Sequence, residues 1–109
     1  MKQELKSSKE IAEYIQVHSN YDVDQQLIEE YFFGCRAELK EIELNSIILD
    51  NENYHIQDKN KQEKYNKMNS TEAPPIVVEK GLVKDGHHRV RAAKYQNRKT
   101  IMAYVIVEE

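Results

Sequence analysis

The sequence is poor in the residues that cross-link a chain or set sharp backbone turns. Its 109 residues include one cysteine, two prolines, three glycines and no tryptophan. The single cysteine, Cys35, excludes an internal disulfide framework and is typical of a reducing compartment. No apolar run approaches the roughly 20 residues of a membrane-spanning helix. The N-terminal segment MKQELKSSKE also lacks the apolar stretch of a secretory signal. We therefore expect a cytoplasmic protein without a membrane partner.

The charge is small overall and unevenly distributed. The net charge of −3 argues against a general nucleic-acid binder. Residues 80–99 nevertheless carry seven basic side chains against one acid, Asp85. These basic residues are Lys80, Lys84, Arg89, Arg91, Lys94, Arg98 and Lys99. A local positive field on an acidic body favours a compact anion over a long polyanion.

The N-terminal third has the pattern of two helices. Ser7 and Glu10 have the spacing of a capping box, and apolar residues then recur at helical intervals. A second apolar stripe ends near a glycine, which is typical of a helix C-terminus. We predict helices within 7–18 and 22–33, forming a helical hairpin ahead of the main domain.

The remainder of the chain mixes strand and helix signals. Strands are predicted near 40–49, 76–79, 81–84 and 100–107, with helices within 58–69 and 87–97. Ala92 and Ala93 let the second of these helices lie close to a sheet. The pattern predicts an α+β fold: a small mixed sheet with packed helices, preceded by the N-terminal hairpin.

Chemistry-bearing residues concentrate in the segment GLVKDGHHRVRAAK, residues 81–94. A predicted strand ends there, Gly86 makes the turn, and a helix opens at His87. The free N–H groups and the dipole of a helix N-terminus favour an anion, and Arg89 can donate a forked pair of hydrogen bonds to a phosphate. Asp85 fits this arrangement if it holds a magnesium ion beside the phosphates. The same residues equally fit an ordinary strand–glycine–helix corner, because one glycine is not a full phosphate-binding loop.

The segment APPIVVEKGLVKDGHHRVRAAKYQNRKTIMAYVIV resembles the ParB/sulfiredoxin superfamily. Members share a P-I-V-V strand, a short hairpin, a D-G-x-H/R-R corner, an R-x-A-A helix and a final strand of the I-x-A-x-V type. Upstream, IELNSIILDNENYHIQD resembles the family's first strand and polar box. The resemblance runs from about Ile42 to Val107. It implies a nucleotide-binding domain at 38–109 behind an N-terminal helical extension at 1–37.

Members of the superfamily differ at the corner. ParB proteins bind CTP through a G-E-R-R version, whereas sulfiredoxin has a cysteine where this chain has His87, so sulfiredoxin's thiol chemistry is not expected here. The ADP-dependent free-serine kinases have an Asp-Gly-His-His-Arg-like corner, similar to this one, and a glutamate base after the first strand. The resemblance implies Asp85, His87, His88 and Glu52 as catalytic residues, Gly86, His87, His88 and Arg89 as nucleotide-binding residues, and Asp85 as the metal ligand. Asp50 is an alternative to Glu52, and either acid can instead be a solvated turn residue.

Two classes of function follow from these observations. The first is a nucleotide-binding protein that holds ATP, ADP or CTP with Mg²⁺ and hydrolyses it or transfers a phosphoryl group, as an ATPase, a CTPase or a small-molecule kinase. The second is a non-catalytic module of plasmid, phage or toxin-type origin. Such a module would bind DNA through the basic residues of 80–99 or a protein through the N-terminal hairpin. Cys35 precedes the core strands and is expected to be a small buried residue without a chemical role.

Overall fold

The computed structural model describes residues 3–18, 24–48, 59–68 and 73–108. The strands are β1 (Glu4–Leu5), β2 (Cys35–Glu43), β3 (Ile76–Glu79), β4 (Leu82–Asp85) and β5 (Thr100–Glu108). The helices are α1 (Ser8–His18), α2 (Gln25–Tyr31), α3 (Lys59–Lys67) and α4 (His87–Tyr95), with a short 3-10 helix at Leu44–Ser46. The strands form one mixed sheet in the order β1-β2-β5-β3-β4, in which only the β3–β5 pairing among these strands is parallel. The predicted α+β fold with a mixed sheet is confirmed.

The N-terminal helical hairpin packs on one face of this sheet. Ser7 accepts a hydrogen bond from the backbone N–H of Glu10 at 3.3 Å, as the capping pattern predicts. Ile11 and Phe32 are buried in a cluster with Tyr104 of β5. The division of the chain at residue 38 stays a prediction. The hairpin and the sheet share this hydrophobic cluster, and β2 runs across that position.

The opposite face of the sheet is covered by α4. Val90 and Ala93 are buried against Ile76 of β3 and Ala103 of β5. A side chain as small as alanine lets the helix backbone approach the sheet closely, as the sequence indicates. Strand β5 lies between β2 and β3, and its alternate residues enter both hydrophobic clusters. It is therefore the central strand, buried on its two faces.

The turn between β3 and β4 has the geometry that a tight hairpin requires. Lys80 and Gly81 both have positive φ, at 52° and 83°. Two consecutive left-handed residues are the mark of a type I′ turn, whose twist matches that of the flanking strands. The hairpin predicted at this position is present.

The first core strand differs from its predicted position near 40–49. It begins at Cys35 and ends at Glu43, after which the chain turns into the 3-10 helix. The apolar residues Leu44 and Ile47 do not lie in a strand. They belong to the hydrophobic cluster that contains Val90 and Ala93 of α4. A side-chain hydrogen bond stabilises this turn: Ser46 Oγ donates to the backbone carbonyl of Glu43 at 2.6 Å. The two-residue strand β1 was not predicted, since it is too short to show a period.

Candidate functional site

The strand-to-helix corner predicted from the sequence is present. Strand β4 ends at Asp85, Gly86 adopts φ 108° and ψ 30°, and α4 starts at His87. An added Cβ on Gly86 would lie 2.5 Å from Ile76 Cγ2 and 3.1 Å from Arg89 Cζ. Glycine is therefore needed at this position for its backbone angle and for packing on β3. Its missing Cβ faces the protein interior, so packing already accounts for it without a ligand.

Asp85 and Arg89 form a buried ion pair across the corner. Arg89 Nη2 lies 2.8 Å from Asp85 Oδ2, and the two residues are 2% and 3% exposed respectively. Arg89 Nη1 also donates to the carbonyls of Pro74 and Pro75, at 3.0 and 2.7 Å. The guanidinium thus links the end of β4, the first turn of α4 and the segment that enters β3. A buried charge is stable only with partners of this kind.

The network extends to the N-terminal hairpin. The hydroxyl of Tyr14 in α1 donates to the carbonyl of Pro75, which also accepts from Arg89. Burial raises the pKa of Tyr14 and outweighs the opposing effect of the Arg89 charge. The phenol therefore stays protonated and keeps its hydrogen bond. Tyr14 is separated from Pro75 by 61 residues, so no local sequence signal could have predicted its role.

The two histidines of the corner have different surroundings. His87 is buried at 7% exposure, and His88 is half-buried. The backbone carbonyl of His88 accepts a 3.0 Å hydrogen bond from Gln62 Nε2, which brings α3 against the start of α4. His88 is thus the more exposed residue of the two.

The structure brings together five of the predicted site residues. Asp85, Gly86, His87, His88 and Arg89 are consecutive at the corner, whereas the predicted base Glu52 and its alternative Asp50 lie outside the described residues. The chemical roles assigned to these residues stay predictions. A direct metal bond from Asp85 would have to compete with the Arg89 ion pair. No cluster of three or more His, Cys, Asp or Glu side chains suited to a metal occurs within the described ranges.

Searches with the sequence give no match to a protein-family model or to a curated protein. A search with the structure finds a solved Pnob8-like ParB-N domain, in its C2221 crystal form, with a TM-score of 0.58. This chain has a ParB-like fold. The two sequences are 14% identical, and the match covers 69% of this chain and 32% of the solved one. At that identity the similarity establishes the fold and confirms the architecture expected from the motifs, while activity and partners remain open to proposal.

Among the described residues, no helix is both long and apolar enough to cross a membrane. The longest, α1, has 11 residues, well below the roughly 20 that a span requires.

Proposed function

We propose that this ParB-like domain binds the phosphates of a nucleotide, ATP, ADP or CTP, at the start of α4. The observation that carries the proposal is the corner itself. Gly86 occupies the N-cap position in a left-handed conformation and contributes no side-chain cap to α4. The N–H groups at a helix N-terminus and the positive end of the helix dipole favour an anion.

His88 and Arg89 contribute to this site in different ways. His88 is half-buried beside the helix terminus, where its imidazole can donate a hydrogen bond or a proton to a phosphate oxygen. Arg89 is enclosed by Asp85 and two backbone carbonyls. Its contribution is to hold the corner in shape, and a direct phosphate contact by Arg89 requires it to leave these partners.

Turnover of the nucleotide is the second part of the proposal. Mg²⁺ would neutralise charge on the phosphates and would be bound chiefly through their oxygens, which are the ligands it prefers. His88 would contact a transferred phosphoryl group, since it is less buried than Asp85, His87 and Arg89. The predicted base Glu52 would orient the acceptor or a water molecule for attack.

Calorimetric titration with ATP, ADP and CTP, with and without Mg²⁺, tests the proposal. His88→Ala should weaken binding of the preferred nucleotide several-fold, and it should slow phosphate release more than it weakens binding. Lys94→Ala is the matched control, because Lys94 is an exposed cation on the same helix. Equal binding by the His88→Ala variant and the parent, or no binding of any nucleotide, would refute the proposal.

A binding module without catalysis is the second candidate, and one surface favours a protein partner. Leu27, Tyr31 and Phe33, in and just after α2, are 58%, 61% and 84% exposed. Large apolar side chains that stay exposed are frequent at protein interfaces. Phe33→Ser should abolish association with such a partner and leave nucleotide binding unchanged. Salt-dependent DNA binding lost in Lys94→Ala would instead identify the module as a DNA binder.

A further inference from the structure

A groove separate from the α4 corner residues His87 and His88 lies beside the start of β5. Its volume is about 570 Å³, within the range of small-molecule sites. Pro74 and Met102 are apolar residues of its lining, and Arg98 and Lys99 also line it. Met102 is 38% exposed although it lies in the central strand. The groove therefore combines an apolar surface with two cations.

Arg98 has an unusual environment within this groove. Its Nε atom is shielded from solvent and has no hydrogen-bond partner. Among the residues that the structure describes, its side chain makes no ion pair either, in contrast to the paired guanidinium of Arg89. Burial lowers the pKa of Arg98 below its ordinary value. An anion that reaches this guanidinium is attracted more strongly than it would be by a hydrated cation.

The backbone fixes the position of this arginine. Asn97 has a left-handed φ of 58°, and the N–H of Arg98 donates to the carbonyl of Ala93 at 3.0 Å. This is the pattern of a Schellman motif, which ends α4 in a defined geometry. The carbonyl of Lys99 accepts a 2.9 Å hydrogen bond from the N–H of Leu44. The Arg98–Lys99 pair is thus held between two ordered elements and is not part of a loose loop.

The charges around the groove favour an anion. Arg89 also contacts it, but Asp85 neutralises that guanidinium. The remaining charged side chains are Arg98 and Lys99 against Glu41, whose carboxylate accepts a 3.1 Å hydrogen bond from Thr100 Oγ1. One cation in excess beside an apolar wall is suited to a molecule with a single oxyanion and an apolar body.

We propose that this groove binds a small organic oxyanion, a carboxylate or a phosphate on an apolar body, through the guanidinium of Arg98. Guanidinium and oxyanion match each other in a planar, two-pronged geometry that an ammonium group lacks. The apolar part of the ligand would lie on Pro74 and Met102. The groove shares Arg89 with the start of α4, but anion binding through Arg98 does not rest on nucleotide binding there.

The test is an NMR titration of the full 109-residue chain, labelled with ¹⁵N, with phenyl phosphate and with benzoate. Inorganic phosphate and sodium chloride at equal ionic strength serve as controls. We expect saturable shifts of the Arg98 Nε–Hε signal and of the Ile101 and Met102 amides. Binding of at least one organic anion should be tenfold tighter than that of inorganic phosphate. The tighter of the two identifies the oxyanion. Shifts confined to residues 86–88, which do not line the groove, would report binding at the start of α4.

Variants complete the test. Arg98→Gln should weaken binding at least tenfold, or by about 1.4 kcal/mol, and Arg98→Lys should restore part of the loss. Lys94→Gln, which changes an exposed lysine of α4, should bind like the parent. Nucleotide binding should be unchanged in Arg98→Gln, so that the two sites are judged separately. The proposal is overturned if the parent shows no saturable shift at Arg98, if chloride gives the same shifts, or if a folded Arg98→Gln binds as well as the parent.

Discussion

Arg89 and Asp85, four residues apart in the sequence, form an ion pair with 2.8 Å between Nη2 and Oδ2, and both side chains are almost completely buried. The pair spans the point where β4 passes into α4. Because Arg89 also donates to two backbone carbonyls, its side chain is one of the principal contacts that shape the candidate nucleotide site.

The first prediction concerns the stability that this pair provides. Arg89→Ala leaves the Asp85 carboxylate buried without its partner, which costs about 3–5 kcal/mol in comparable cases. Denaturant unfolding should show a loss of this size, while Lys94→Ala should change stability by less than about 0.5 kcal/mol. The double variant Asp85→Leu with Arg89→Met should be more stable than Arg89→Ala, because neither charge remains buried alone. If Arg89→Ala is as stable as the parent, the ion pair has no structural role.

The expected instability of Arg89→Ala limits its use as a probe of nucleotide binding. A loss of binding in Arg89→Ala would combine unfolding of the corner with any lost phosphate contact. The half-buried His88 is a better probe, since its side chain can be removed with less effect on the core.

The second prediction concerns Gly86. Gly86→Ala should destabilise the protein by roughly 1–3 kcal/mol through overpacking against Ile76, in addition to the strain of a positive φ. Gly34→Ala is the matched control. Gly34 has a φ of 81°, and an added Cβ would meet nothing within 4 Å. If the two variants lose the same free energy of unfolding, backbone strain alone accounts for the glycine at position 86.

The corner illustrates what the sequence can and cannot predict. The spacing of Asp85, Gly86 and His87 predicts a strand that turns into a helix, because glycine permits the turn and the apolar pattern changes period beside it. The same sequence is compatible with an Arg89 side chain that faces a ligand and with one that faces the protein interior. The direction depends on Pro74 and Pro75, whose carbonyls are brought to Arg89 only by the tertiary fold.

Elsewhere the long apolar segments were easier to predict than the edges of the sheet. Strand β5 has an apolar residue on each face along most of its length, which requires burial on two sides. The edge strand β1 has two residues and therefore no period, and its position depends on pairing with β2. The groove at Arg98 was not predicted, since its walls come from segments that are distant in sequence.

The third prediction concerns pH. The His18 ring lies 4.5 Å from that of Tyr14, and burial lowers the pKa of His18 from its ordinary value of 6.5, with the Arg89 charge acting in the same direction. The folded state therefore favours the neutral imidazole. Its contribution to stability is present above about pH 6.5 and is lost as the pH falls. Between about pH 7 and pH 5, the midpoint temperature of thermal unfolding should fall more steeply for the parent than for His18→Gln. Parallel plots of this temperature against pH would contradict the prediction.

The fourth prediction concerns Cys35, a half-buried residue at the start of β2. It packs against the hydrophobic cluster that contains Ile11 and Phe32 of the N-terminal hairpin. Cys35→Ser should retain nucleotide binding within a few-fold, because β5 and β3 separate β2 from the end of β4 and the thiol serves packing. The same titration calorimetry measures this. A folded Cys35→Ser that loses turnover would instead indicate a thiol mechanism.

The most direct test of the central claim is to observe the backbone amides of Gly86, His87, His88 and Arg89 by NMR while a nucleotide is added with Mg²⁺. If phosphates bind at the start of α4, these amides should shift together and saturably with ATP, ADP or CTP. The parent nucleoside, which lacks phosphate, should leave them unchanged. A nucleotide that binds without moving these four amides, or the absence of saturable shifts with all three nucleotides, would contradict the assignment of this corner as the phosphate site.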